Sequence, residues 1–312
     1  MKFLILGAGG IGSYFGTRLI NAGYEVTFVA RGKHLEALQK NKLKLQHPDY
    51  FFHKYVTVFS IDDIQSFNPN NFDTVLLTTK STSTVTLSNQ LYKWFDNNKK
   101  IPYIISLQNG VENEEILLTK FNKKNIIAGL TRKIGAHIVR PAVIHATGNA
   151  ETILGAMKRT KKNDIFLKNL QKIFTKAKIP TQITKDIKLE LWKKLIINNG
   201  VNALCALLRK KTGIVTNHKK LSAIVKGLMD ETAKAAFNKG IKISKKEVDT
   251  MFDLIQNFDS IKPSMLVDVE NNKEIELDEI CNIVIQNCEE QQLDAPYTRT
   301  ISTLLEYTYK KR

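Results

Sequence analysis

Residues 3–6 are Phe3-Leu4-Ile5-Leu6, and the next six are Gly7-Ala8-Gly9-Gly10-Ile11-Gly12. A short, wholly apolar run bounded by glycine suits a central parallel strand buried on both faces. The glycines then serve a strand-to-helix turn: Gly7 permits the tight turn, Gly9 lets the backbone approach a pyrophosphate, and Gly12 lets helix and strand pack closely. Residues 11–22 supply the helix and residues 25–30 the next strand, so the opening thirty residues predict a βαβ unit. The helix N-terminus offers unpaired N–H groups and a positive dipole end to a phosphate. Alone, such a string is only a glycine-rich turn. In this context Gly7, Ala8, Gly9, Gly10, Ile11 and Gly12 are candidate contacts to a dinucleotide.

The residues after the second strand bear on which dinucleotide fits. A site for NAD normally places a carboxylate there for the ribose hydroxyls. This chain has Ala30-Arg31-Gly32-Lys33 instead. Arg31 suits the 2′-phosphate of NADP through charge-assisted hydrogen bonds, the alternative being a surface arginine, and Lys33 is open to either reading. The expected cofactor is NADPH.

Further strands are expected at residues 74–78, 103–106 and 126–130, alternating with helices at 84–96 and 113–121, which predicts a doubly wound parallel sheet. Residues 134–154 change texture to short β-like runs, an antiparallel extension at which the sheet is expected to end. From residue 185 onward, amphipathic segments dominate, at about 185–208, 221–239, 244–257, 263–270, 276–291 and 295–309. The expected organisation is a Rossmann-type domain over 1–182 and an all-helical domain over 183–312.

Composition narrows the partners. The chain has 312 residues, 43% of them hydrophobic, about twice a typical ~150-residue domain. Its net charge of +17 raises nucleic acid, a membrane surface or an anionic ligand. Residues 1–180 carry 26 Lys plus Arg against 12 Asp plus Glu; residues 181–312 carry 21 against 18. The excess peaks at Lys158, Arg159, Lys161 and Lys162 and continues at helical intervals through Lys168, Lys172, Lys176 and Lys178, as on a solvated helix face. Only eight of the 47 cations are Arg, the better reader of phosphates and bases, so the excess reads as a Lys-rich habit and no nucleic-acid partner is expected. Cys205, Cys281 and Cys288 form no C-x-x-C pair, which fits a reduced, cytoplasmic compartment. No run approaches the ~20 apolar residues needed to span a bilayer, and the glycine-broken N-terminus has no cleavage signature, so a soluble protein is expected. The six histidines are scattered without H-E-x-x-H, and G-x-S-x-G is absent; neither a metal nor a nucleophilic triad is expected.

Lys80 ends the string TVLLTTK and Asn109 lies in SLQNG, both at the carboxyl edge of the expected sheet, where doubly wound folds bind ligands. In the helical half, Lys194, Asn198 and Asn202 recur at i, i+4 and i+8 and line one stripe. A solvated stripe would explain them. However, Leu191, Leu195, Ile197, Val201 and Leu204 leave little of this helix polar, and asparagines in an apolar helix need partners, which suggests a ligand wall.

Taken together, these segments resemble the ketopantoate reductases, members of the 6-phosphogluconate dehydrogenase-like superfamily. The resemblance spans essentially the whole chain. It rests on GAGGIG, Arg31, Lys80, QNG with Asn109, T-x-x-x-G-A from residue 131 to 136, W-x-K-L-x-x-N-x-x-x-N from 192 to 202, Pro263-Ser264-Met265-Leu266-x-Asp268, and Ile275-Glu276-Leu277-Asp278. Two departures are Pro141-Ala142 where Pro-Gly is common, and Pro263 before Ser264. The resemblance implies NADPH-dependent reduction of 2-dehydropantoate to (R)-pantoate, with the active site in the cleft between the domains. It implies Lys194 as general acid, with Glu276 orienting it or holding a substrate hydroxyl. Asn198, Asn202 and Ser264 would hold the substrate, and Asn109 would contact substrate and cofactor. Register selects Lys194 over Lys193 and Glu276 over Glu274.

Two rivals stay open. One is reduction of another small anionic 2-oxo acid, or opine-type dehydrogenation, on the same scaffold. The other is a non-catalytic NADP-sensing regulatory protein, which would not need a proton donor. Monomer and homodimer are equally compatible with the sequence.

Overall fold

In the first strand, β1 (Lys2–Leu6), alternate residues face opposite sides of the sheet, and both sides are covered. Phe3 and Ile5 join a core with Tyr14, Phe15, Leu19, Phe166 and Phe174. Leu4 and Leu6 join a second core with Leu91, Trp94, Phe95 and Leu117. All four strand residues are fully buried, and each such side chain contributes roughly 1.5–3 kcal/mol. The apolar run at the N-terminus is therefore the floor of two cores.

The computed structural model describes residues 1–95, 100–257 and 260–309. The chain divides into two compact units, Met1–Ile187 and Lys188–Arg312. In the first unit the remaining strands are β2 (Glu25–Val29), β3 (Leu43–His47), β4 (Tyr50–Lys54), β5 (Thr57–Phe59), β6 (Thr74–Leu77), β7 (Tyr103–Ser106), β8 (Ile126–Arg132), β9 (Gly135–Arg140), β10 (Val143–Thr147), β11 (Glu151–Ala156) and β12 (Thr181–Ile183). The main sheet has the order β12-β11-β8-β7-β6-β1-β2-β5. From β5 to β8 every pairing is parallel. The chain winds outward from β1 to β2 and β5, then resumes at β6 on the other side of β1. That reversal makes the carboxyl end of β1 the place where a doubly wound sheet opens for a ligand.

Three features depart from the sequence expectation. The main sheet does not end near residue 154: β11 returns antiparallel beside β8, and β12 adds parallel to β11. The antiparallel hairpin β9–β10 instead joins β3 and β4, which the sequence reading missed, in a second sheet of order β4-β3-β10-β9. The chain also stays with the first unit slightly past residue 182, because β12 pairs in its sheet and the Ile187 side chain covers Gly155. The expected helix over 84–96 runs Thr84–Phe95, residue 96 lying outside the described residues. The lysine-rich segment forms the helix Lys161–Lys176, with Phe166, Leu167, Leu170 and Phe174 buried and the lysines exposed. It is the solvated face its spacing indicates.

The second unit is helical: Ile187–Leu208, Thr212–Asn217, Lys219–Asn238, Lys245–Gln256, Ser264–Glu270, Ile283–Glu289 and Pro296–Tyr309, with a π-helical turn at Asp278–Asn282. A buried polar knot ties three of these together. Glu231 accepts the N–H groups of Tyr297 (2.9 Å) and Thr298 (2.8 Å), satisfying the first turn of the last helix. Asn199, fully buried, donates to Thr232 Oγ1 (2.9 Å) and Thr298 Oγ1 (3.0 Å). Asn199 thereby fixes the rotation of the Ile187–Leu208 helix about its axis.

Candidate dinucleotide and substrate sites

The glycine turn leaves β1 with Gly7 at φ +106°, in the region L side chains avoid. The N–H groups of Gly7 and Ala8 donate to the Val29 carbonyl at 3.1 and 3.0 Å, so the turn is pinned to the end of β2. A Cβ on Gly12 would collide with the Gly7 carbonyl, as expected of a helix packed tightly on its strand. Gly10, to which the sequence reading gave no separate duty, abuts the Ala136 carbonyl of β9. The T-x-x-x-G-A segment is thus the neighbour that makes Gly10 necessary. Gly9 is different: among the described residues, a Cβ there would meet nothing within 4 Å. The packing of the described residues makes no demand for glycine at residue 9. The helix Gly10–Asn21 has Gly9 as its N-cap, no capping side chain and no acid in its first turn. Uncapped N–H groups beside a residue with no side chain fit a pyrophosphate.

Arg31 and Lys33 follow β2, Arg31 as the N-cap of the helix Gly32–Lys40. Both are exposed, and neither forms an ion pair among the described residues. His34, in the first turn of that helix, was missed by the sequence reading. Its Nδ1 accepts the Ala142 N–H at 3.3 Å, which leaves Nε2–H to donate to the Ala8 carbonyl at 2.8 Å. His34 therefore clamps the glycine turn to the β9–β10 hairpin. Desolvation by burial holds its pKa below the usual 6.5, with the Ala8 hydrogen bond opposing in part. The neutral ring that this geometry needs is the one that burial favours.

Lys80 lies just past β6 and Asn109 just past β7, both half-buried. Gln108 joins the two strand ends: its Nε2 donates to Thr84 Oγ1 (2.9 Å), Thr79 Oγ1 (3.2 Å) and the Lys80 carbonyl (3.3 Å). Thr84 donates to Asn113 Oδ1 (2.7 Å), and Asn113 Nδ2 donates to the Asn109 carbonyl (2.6 Å). The backbones that carry Lys80 and Asn109 are held by one buried network. The glycine turn, Arg31, Lys80 and Asn109 all lie at the carboxyl edge of one sheet.

In the second unit Lys194 and Asn198 are half-buried and Asn202 is 3% exposed. Asn198 makes no hydrogen bond among the described residues. Lys193 is committed elsewhere, in an ion pair with Glu247 at 3.0 Å. The Ser244 N–H, with Lys193 as the next contributor, holds the Glu247 carboxyl down to about 2. Asn202 Oδ1 accepts the Met265 N–H at 3.5 Å, a long contact that sets the start of the Ser264–Glu270 helix beside it. Exposed Ser264, at the first position of that helix with Pro263 as N-cap, is thereby brought close to Asn202. Proline is no obstacle there, because a helix N-terminus has no use for its missing N–H. Glu276 is 8% exposed and Glu274 is exposed, just ahead of the π-helical turn. Glu279 within that turn is pushed up to about 6, first by burial and then by Glu276, Asp278 and Glu274. His137 and His145 face one another across β9 and β10 as ordinary strand residues. Among the described residues, no group of His, Cys, Asp or Glu is arranged to hold a metal ion, and no helix is long and apolar enough to cross a membrane.

A glycine turn with uncapped N–H groups at the switch point of a parallel sheet defines the class: a Rossmann-type dinucleotide-binding fold. The family profile described as "Ketopantoate reductase PanE/ApbA" matches residues 3–159, and "Ketopantoate reductase PanE/ApbA C terminal" matches residues 186–308. The chain belongs to the ketopantoate reductase family. The 2-dehydropantoate 2-reductase of Pyrococcus abyssi is 30% identical over 296 residues, 95% of this chain and 94% of that protein. That of Archaeoglobus fulgidus is 28% identical over 302 residues, covering 96% and 95%. The crystal structure of 2-dehydropantoate 2-reductase from Geobacter metallireducens matches with a TM-score of 0.85 at 27% identity, covering 98% of this chain and 99% of that one. D-mandelate dehydrogenase, solved with NADH and anilino(oxo)acetate, shares the fold with a TM-score of 0.90 at 20% identity, covering 99% and 98%.

Proposed function

We propose that this protein reduces 2-dehydropantoate to (R)-pantoate with NADPH, a step towards pantothenate and coenzyme A. The observation that carries the reading is the stripe of Lys194, Asn198 and Asn202 on a family member's helix, with the neighbouring Lys193 already paired to Glu247. Arg31 and Lys33, in place of a ribose-binding acid, support NADPH over NADH.

The first-turn N–H groups at Gly9, Gly10 and Ile11 would hold the pyrophosphate, with Arg31 and Lys33 on the 2′-phosphate and Lys80 at the rim. When bound, the reduced nicotinamide supplies the hydride received by the carbonyl carbon. Lys194 Nζ donates a hydrogen bond to the ketone oxygen. As the C=O π pair moves onto that oxygen, Nζ gives it a proton and later regains one from water. General-acid assistance of this kind contributes about 10²–10⁴-fold. Glu276 keeps the ammonium charged and oriented. Asn198, Asn202 Nδ2 and Ser264 Oγ, with Asn109, hold the substrate's hydroxyl and carboxylate in a near-attack pose.

Following NADPH oxidation with 2-dehydropantoate and a panel of 2-oxo acids tests this, with NADH in parallel. The expected result is the highest kcat/KM for 2-dehydropantoate with NADPH. Faster turnover of another 2-oxo acid, or preference for NADH, would replace the corresponding half of the proposal. Dinucleotide binding without turnover of any substrate would favour a sensor.

A further inference from the structure

Arg18 lies in the last turn of the Gly10–Asn21 helix, about 13 Å along the axis from Gly9 and at the amino edge of the sheet. It is only 6% exposed. Its guanidinium rests 4.0 Å above the Tyr50 ring and 5.3 Å from that of Tyr14. Among the described residues it makes no hydrogen bond and no ion pair, and its Nε is buried without a partner. The carbonyls of its own helix end are taken: those of Arg18 and Leu19 accept from Ala22, that of Leu19 also from Tyr24, and that of Ile20 from Gly23. A guanidinium whose Nε is buried and unpartnered favours an anion at its remaining N–H groups, and stacking on two rings offsets only part of that need.

This guanidinium faces an open hollow of about 430 Å³ lined by Arg18, Asp49, Asn149, Thr175, Lys178 and Pro180. The walls are fixed. His47 Nδ1 accepts the Asp49 N–H at 3.1 Å, and Nε2–H donates to the Gly148 carbonyl at 2.7 Å, tying the β3–β4 turn to the loop that carries Asn149. The Tyr50 hydroxyl is hydrogen-bonded to Thr17 Oγ1, which holds the ring beneath Arg18. Lys178 takes φ +55°, a conformation that glycine adopts more cheaply, and its N–H closes the Lys161–Lys176 helix on the Thr175 carbonyl at 3.0 Å. A lysine kept at such a position brings a second cation to the rim.

We propose that the hollow binds a small multivalent oxyanion, a phosphate group either free or as a phosphomonoester. Arg18 supplies the fork, Lys178 a second charge, and Thr175 and Asn149 hydrogen bonds; Asp49, on the same rim, weakens the binding. The site is independent of the glycine turn and of the proposed reaction.

Calorimetric titration of inorganic phosphate into the full-length protein, at constant ionic strength with chloride as control, tests this. Repeating it with glycerol phosphate separates free phosphate from phosphomonoester. One site is expected, weakened about 10-fold by Arg18→Gln, the usual worth of a charged hydrogen bond. Lys178→Gln and Thr175→Val, both at exposed positions, should each weaken it less and keep the test valid if the Arg18 variant does not fold. Arg31→Ala should leave it unchanged; loss there would mean that phosphate had bound at the dinucleotide site, and would overturn the proposal. Asp49→Asn should tighten binding severalfold without lowering Tm. A lower Tm would make Asp49 the counter-ion of Arg18 and leave no vacancy for a ligand. Absence of phosphate heats would equally overturn it.

Discussion

The two units hold their candidate chemistry by different means. In the first, the backbone does most of the work: N–H groups of a glycine turn, anchored to Val29, with side chains acting from a distance through His34 and Gln108. In the second, side chains do it, from one face of a helix whose rotation is set by Asn199. A backbone site tolerates changes of side chain until a Cβ intrudes. A side-chain site on a helix is sensitive to register, because one residue of shift turns each group by about 100°.

If this contrast is right, the largest single loss should come from the helix. Lys194→Ala should lower kcat at least ~10²-fold while leaving NADPH affinity nearly unchanged, as measured by steady-state kinetics and a binding titration. Near-normal turnover would remove Lys194 from the mechanism. Next, Arg31→Ala should raise the KM for NADPH about 10-fold and leave that for NADH nearly constant. An equal rise for both would place Arg31 away from the 2′-phosphate. A smaller effect is expected from His34→Ala, a few-fold rise in cofactor KM at constant kcat. The wild-type ring must be neutral, and its pKa is depressed below 6.5, so the stability that its two contacts contribute is full above pH 6.5 and is lost as pH falls towards the lower folded value. The cofactor KM should accordingly rise as pH falls below 6.5, and His34→Gln should remove that rise; an unaltered pH profile would reduce His34 to a packing residue. Smallest of all, Lys193→Ala breaks a partly exposed pair and should cost no more than ~1 kcal/mol by denaturant melt, with kcat intact. A Lys193 variant as inactive as the Lys194 one would show that the register had been misread.

Much of the first unit's candidate site could be proposed from sequence because glycine spacing and a short apolar run are local signals. Helical period likewise exposed the Lys194 stripe. The adjacent Asn199 carried no such signal: its job depends on Thr232 and Thr298, far along the chain, and sequence alone does not distinguish it from Asn198. His34 was obscure for the same reason, since its partners are Ala8 and Ala142. The second sheet was missed because β3 pairs with β10 across roughly a hundred residues, and the texture of either strand alone is ambiguous. The main sheet was expected to end at residue 154 because sequence shows where strands lie, but not which edge a later strand rejoins.

Gly9 separates two kinds of selection that usually act on the same atoms. Its φ of −70° and ψ of −163° are available to any L residue, and among the described residues nothing lies within 4 Å of an added methyl group. Judged by folding alone, alanine would be the better choice, because it leaves the unfolded chain fewer conformations. On the proposed reading the hydrogen atom in place of a side chain leaves room for the dinucleotide, and a Gly9→Ala protein should melt no lower than the parent while binding NADPH more weakly.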